Sequence, residues 1–329
     1  MDRYTVERTL SIALFGDVVL CHDNTTANDN RPTSMVAIKR MDIASATARQ
    51  VVGSPRHVAE DIEFERHVNL TLTRDGKRHP NVLAMRDSFV DSGVLHFVFD
   101  YCAGGELFQV TDDLPGHRVD GATARRYFRD IVLGVAYVHA MGFAHRDLSL
   151  ENVLVDANDV CVVCDFGLAS SLTAHPTDQS KVGKAFYMAP EVVADAALPY
   201  DLATADVWSL GILLFVLVTG APLVEMAALT DVRFQYLEAE GVRALVESWD
   251  MMHLFDPQCM SLLEGMLCVD ALYRISMDDI LRHPYICGTD DCTSCSVQVD
   301  DVQVGLGDVV DLKALNPATQ AMDLATFTV

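Results

Sequence analysis

The chain changes character near residue 100, and that change constrains its fold more than any other feature. Before it come short runs rich in β-branched and aromatic residues, "VVLCH", "SMVAIKRM", "NVLAMRDSFV" and "VLHFVFDY", with the length and composition of strands. They are interrupted once, by a charged stretch from about Val58 to Leu72 that reads as a helix. From Gly105 onward the segments are long and helical in period, "ATARRYFRDIVLGVAYVHAMG" and "DVWSLGILLFVLVTG" among them. The expected architecture is therefore α+β: a small sheet with one helix over residues 1–100, a larger helical lobe over 101–288, and a cleft between them for chemistry. Residues 24 to 34, rich in Asn, Asp, Thr and Pro, read as a surface loop, and the acidic, small and polar stretch 289–329 as a weakly ordered tail.

Half of the 329 residues are apolar, which is enough for a core and excludes disorder over most of the chain. Against 24 basic residues stand 47 acidic ones, a formal charge of -23. Such a surface repels nucleic-acid backbones and anionic membranes, so neither is an expected partner, whereas basic peptides are. The N-terminal "MDRYTVERTLSIALFG" has no basic segment leading into a long apolar core. The strongest apolar run, Leu210 to Val218, is short beside the roughly 20 residues of a membrane span. These features lead to the expectation of a cytoplasmic protein, with access to the nucleus left open. Nine cysteines, an odd number without paired spacing, suit a reducing compartment. Cys161 and Cys164 lie in the apolar run "DVCVVCDFG" and read as core; Cys292 and Cys295 have no second pair to complete a zinc site.

Four short sequences occur in a fixed order: "VAIK" ending at Lys39, "HRDLSLEN" from His145 to Asn152, "DFG" at Asp165 to Gly167, and "APE" at Ala189 to Glu191. "DVWS" at Asp206 to Ser209 and a D-x-x-x-R at Asp270 and Arg274 follow. Together they resemble the eukaryotic protein kinase signature over roughly residues 4 to 287, and the two-lobed kinase fold is what the resemblance implies. The "CAGGELF" and "ILRHPYI" segments are most similar to the calcium/calmodulin-dependent and AMP-activated branch of Ser/Thr kinases.

Phosphoryl transfer needs the γ-phosphate of ATP held in line with a hydroxyl and its charge neutralised, which fixes the residue types wanted. By the resemblance, Lys39 contacts the α- and β-phosphates, Asp165 and Asn152 hold Mg2+, and Asp147 accepts or orients the proton of the attacking hydroxyl. The nucleotide is expected against Leu10, Gly16, Val18, Ala37, Lys39, Glu65, Phe99, Asp100, Cys102 and Glu106. Among these, Phe99 occupies the gatekeeper position, Asp100 to Cys102 the hinge, and Glu106 the ribose contact. Several acids in "AEDIEFERHVN" compete to pair with Lys39. Only Glu65 has apolar residues three and seven further on, Val68 and Leu72, which places it on an inward helix face and sets Glu60 and Glu63 aside. Asn69 is polar where the family packs an apolar residue against the DFG phenylalanine. Asp206 is expected to bond the HRD loop, and Glu191 to form a buried pair with Arg274. Arg146 implies control by a phosphate from an upstream kinase, with Ser170, Ser171, Thr173, Thr177 and Ser180 as candidate sites.

Two departures from the family pattern matter. The phosphate-covering hairpin carries Ser11 and Ala13 where the first two glycines belong and keeps only Gly16 and Val18. An L-residue forced to positive φ there would cost roughly 1 to 2 kcal/mol, enough to weaken nucleotide binding. In the catalytic loop, the position of the Ser/Thr-kinase lysine holds Ser149 and that of the tyrosine-kinase arginine holds Glu151. The activation segment offers a replacement: "GKAFYMAPE" has Lys184 where the Ser/Thr pattern has threonine. The expectation is a Ser/Thr protein kinase acting on proteins with basic residues near the acceptor, with Lys184 restoring the lost charge. A pseudokinase that binds nucleotide or partners without efficient catalysis is the alternative, and a tyrosine kinase the second rival.

Overall fold

The computed structural model describes residues 3–25, 35–74, 78–173, 181–194 and 199–288. Five strands, β1 (Tyr4–Ala13), β2 (Gly16–Asp23), β3 (Met35–Asp42), β4 (Met85–Asp91) and β5 (Val94–Asp100), form an antiparallel sheet in the order β1-β2-β3-β5-β4. Between β3 and β4 lie a short helix, α1 (Ile43–Thr47), and the longer α2 (Ile62–Leu72). The charged stretch expected to be helical from Val58 thus begins later. Its start is set by Asp61, whose carboxylate accepts from the N–H groups of Glu63 and Phe64, satisfying donors that a helix end leaves open. All of the expected 24–34 loop after Thr25 and the expected 289–329 tail lie outside the described residues, as do Cys292 and Cys295.

After the sheet the chain is mainly helical. A two-residue strand β6 (Gly105–Glu106) leads into α3 (Leu107–Asp112) and the long α4 (Gly121–Ala140), capped by Asp120. Short strands β7 (Phe143–Ala144), β8 (Val153–Val155), β9 (Cys161–Val163) and β10 (Ser170–Ser171) carry the loops of interest. Helices α5 (Pro190–Val193), α6 (Leu202–Thr219), α7 (Val232–Ser248, broken at Gly241), α8 (Pro257–Met266), α9 (Met277–Arg282) and α10 (Pro284–Cys287) complete it. Helix α6 is apolar all round, with mean hydropathy 2.0, and is long enough to cross a membrane by length and composition; 72% of it is buried inside the protein. A helix without a polar stripe belongs in a core, and Trp208, Leu210, Ile212 and Leu213 of α6 are fully buried. Cys161 and Cys164 are buried too, as their apolar run requires.

The two regions are joined at the back by backbone hydrogen bonds: Leu83 N–H donates to Val163 O (2.9 Å) and Val163 N–H to Asn81 O (2.9 Å). That seam places the end of β9, and the Asp165 that follows it, opposite the β3 lysine.

Candidate active site

Lys39 sits on β3, and α2 delivers its partner. Lys39 Nζ donates to Glu65 Oε1 at 2.8 Å and to Asp165 Oδ1 at 3.3 Å. Glu65, Val68 and Leu72 share the buried face of α2, as their spacing required. Asn69 also lies on that face, and it is satisfied locally by donating from Nδ2 to Glu65 O (2.9 Å). Burial disfavours the Lys39 ammonium, but Asp165, Glu65 and Glu60 outweigh it and raise its pKa. The same ammonium holds the Asp165 carboxyl below its usual range against the opposing effect of desolvation.

One member of this cluster was not anticipated. Glu60, set aside on helical spacing, packs over Gly167: a Cβ on that glycine would lie 3.2 Å from the Glu60 carboxyl carbon. Burial pushes the Glu60 carboxyl up to about 7, with Lys39 opposing and the charges of Asp165, Glu65 and Asp147 adding to the rise. Its position just ahead of the Asp61 cap, where Asp61 N–H reaches Gly167 O (3.4 Å), carries no periodic signal that sequence could reveal.

The catalytic loop hangs from one buried carboxylate. Asp206 on α6 accepts from the N–H groups of His145 (2.7 Å) and Arg146 (2.8 Å) and pairs with His139 Nε2 (2.8 Å). Arg146 adopts φ 67° there. His145 Nε2 bonds Cys164 O (3.0 Å), tying this loop to the residue before Asp165. Asn152 Nδ2 donates to both the carbonyl and Oδ2 of Asp147, each at 2.7 Å. The Asn152 amide oxygen is thereby left as that side chain's ligand atom.

Ser149 is fully buried, and Lys184 lies on it. Lys184 Nζ donates to Ser149 Oγ at 2.8 Å and to Asp147 Oδ2 at 3.4 Å. Local structure explains how the activation segment comes so close. Gly183 has φ 96°, and a Cβ on it would lie 2.8 Å from Arg146 O, so only glycine permits the approach. Beyond Lys184 a single 3-10 turn buries Tyr187, whose hydroxyl accepts from Leu150 N–H (3.3 Å) and whose carbonyl accepts from Ser209 Oγ (2.8 Å). Further along, Glu191 and Arg274 form the expected pair, at 2.5 and 3.0 Å. Of the activation-segment hydroxyls, Ser170, Ser171 and Thr173 are described, whereas Thr177 and Ser180 lie outside the described residues.

On the nucleotide side, the conformational cost expected at Ser11 and Ala13 is absent. Both lie in β1, and neither is among the described residues with positive φ. Both pair with β2 in ordinary strand register, Ser11 opposite Val18 and Ala13 opposite Gly16, a backbone that any L-residue adopts. Gly16 is required for a different reason: its Cβ would lie 2.1 Å from Arg40 O. Leu10 and Val18 flank this hairpin, and Ala37 pairs with the buried Phe99 across β3 and β5. Asp100 turns its carboxylate to Arg78 and Arg86. Cys102 is buried, its carbonyl accepts from Gly105 N–H (3.3 Å), and its own N–H has no partner among the described residues. Desolvation and the charge of Glu151 raise the Glu106 carboxyl, with Lys184 acting in the opposite sense.

A lysine–glutamate pair facing an aspartate after a buried strand, above a loop that clasps a second aspartate with an asparagine, defines a phosphotransferase site. The chain belongs to the protein kinase family, since the family model described as "Protein kinase domain" matches residues 4–286. It is similar to serine/threonine-protein kinase GIN4 of Saccharomyces cerevisiae, 31% identical over 84% of this chain and 23% of that protein. It is also similar to two kinases of Oryza sativa subsp. japonica: SAPK5, 36% identical over 63% of this chain and 55% of the relative, and SAPK9, 29% identical over 86% and 72%. The chain thus spans less than two thirds of the first two of these relatives. The family uses ATP and acts on proteins.

Proposed function

We propose that the chain is an ATP-dependent Ser/Thr protein kinase in which Lys184, on the activation segment, supplies the charge that the catalytic loop lacks at Ser149. The observation that carries this reading is the Lys184 ammonium bridging Ser149 Oγ and Asp147 Oδ2 at 2.8 and 3.4 Å. From there it would act on both the general base and the transferring phosphoryl group. Asp147, oriented by Asn152, takes or directs the proton of the substrate hydroxyl. Lys39, fixed by Glu65, holds the non-transferred phosphates, and Lys184 stabilises charge that develops as the γ-phosphoryl group moves.

Mg2+ suits the remaining donors. Asp165 offers a carboxylate open to the cleft and Asn152 an amide oxygen, the oxygen-only set that hard cations take. These two residues would hold the ion together with substrate phosphates. Bound there, it would neutralise phosphate charge.

The substrate is a protein segment with basic residues near its acceptor hydroxyl. Glu106 and Glu151 lie within electrostatic reach of each other, and Glu151 Oε2 is buried without a hydrogen-bond partner among the described residues. An arginine guanidinium would satisfy that oxygen. Phosphate added by an upstream kinase at one of Ser170, Ser171, Thr173, Thr177 or Ser180 is the natural control, acting through Arg146.

The test is transfer of radiolabelled γ-phosphate to a basic Ser/Thr peptide, with Asp147→Asn as control. Wild-type incorporation into serine or threonine that the control abolishes supports the reading. Equal background from both would leave a nucleotide-binding pseudokinase, and label on tyrosine would reassign the acceptor.

A further inference from the structure

The hairpin that covers nucleotide phosphates has lost two of its glycines, yet its tip is held in place. The turn between β1 and β2 is Leu14–Phe15, and the Phe15 side chain is 1% exposed, in one apolar cluster with Met41, Ala46 and Ile62. Its carbonyl accepts from Asp42 N–H (2.8 Å), and the Leu14 carbonyl accepts from Val52 N–H (3.0 Å). Val52 belongs to the connection between β3 and α2, which the sequence left unassigned. That connection is a folded unit: Asp42 caps α1, Gln50 and His57 form a bridge, and Val51 and Val58 N–H groups close it through Arg56 O and Arg49 O. From the middle of this unit Arg49 pairs with Asp61 (2.8 Å), the cap of the helix that carries Glu65.

We propose that residues 43–58 are a strap that positions the nucleotide-covering hairpin, with Phe15 and Val52 as its positioning residues. This deepens the reading of the cleft as an ATP site and rests on it. A phosphate-covering loop closes on its ligand by fixing flexible backbone, and that ordering opposes binding. In this chain the strap fixes the tip beforehand through the Val52 hydrogen bond and through Ala46 against the buried Phe15 ring, and Asp42 at the end of β3 adds the second backbone hydrogen bond. The hairpin therefore retains nucleotide without glycines at Ser11 and Ala13. The strap also ties the tip to Asp61, so hairpin position and Lys39–Glu65 geometry share one support.

The test measures release of a fluorescent N-methylanthraniloyl-ADP by stopped flow, with thermal melting of each variant alongside. Phe15→Ser and Val52→Pro are each expected to release the probe roughly five- to tenfold faster than wild type, as the loss of one such contact implies. Phe15→Leu, which keeps an apolar anchor, is expected to stay within about twofold. Val52 is 51% exposed, so its variant decides the matter alone should Phe15→Ser not fold. Wild-type release rates in both variants, with or without lowered melting temperatures, would overturn the strap and leave Phe15 as core. Wild-type protein that binds no probe would instead remove the ATP reading, and the strap with it.

Discussion

If Lys184 carries the charge that kinases of the Ser/Thr pattern place at position 149, moving that charge back should restore a site that its removal disables. An ammonium about 4 Å from a full negative charge gains roughly 4 kcal/mol at an effective dielectric near 20. Lys184 is 33% exposed, and solvent screening reduces the figure to about 3 kcal/mol, or roughly 10²-fold in rate. Lys184→Thr is therefore expected to slow single-turnover phosphoryl transfer by about that factor. Ser149 is fully buried where Lys184 meets it, so Ser149→Lys alone forces two ammonium groups into the space of one and also slows transfer. The double variant leaves one ammonium, now on the catalytic loop, and should run at least about tenfold faster than Lys184→Thr. The assay is rapid-quench transfer to a basic peptide at saturating ATP. A double variant no faster than Lys184→Thr would refute the idea that one charge is shared between the two positions.

Glu60 should make stability depend on pH. Its folded pKa, about 7, lies above the ordinary 4.5, so the folded state binds the extra proton between those values and stability falls as pH rises through them. Glu60→Gln should melt a few degrees higher than wild type at pH 8, equivalent to roughly 1 to 2 kcal/mol after allowance for partial exposure, and should melt with wild type at pH 4.5; a difference independent of pH would contradict this. Gly183→Ala should lose transfer, at least about tenfold from the strained backbone alone, while binding labelled ADP normally. Full transfer by that variant would show that the close approach to Arg146 O is dispensable.

Sequence revealed the parts of the site that obey local rules. Glu65 was identifiable because Val68 and Leu72 repeat along the same face, and all three are buried. Lys184 could be singled out because two positions departed from one pattern in compensating ways. What stayed hidden depended on partners distant in the chain. Glu60 is placed by Gly167, and the strap by a turn in the first hairpin; α1 is too short for its period to show. The error at Ser11 and Ala13 had a different source. The family pattern implied positive φ, but both residues pair within an ordinary strand, whose extended backbone accepts their side chains. In α6 the helical pattern was legible, but its continuous apolar run extended only from Leu210 to Val218, because Ser209 and the core-facing Asp206 interrupt it.

The central claim is that an ammonium on the activation segment serves the transferring phosphoryl group. Single-turnover rates of Lys184→Met and Lys184→Arg, at saturating ATP, test it most directly. The methionine variant should fall by roughly 10²-fold or more, and the arginine variant, which keeps the charge, should retain most of the wild-type rate. A methionine variant that transfers phosphate as fast as wild type would contradict the account.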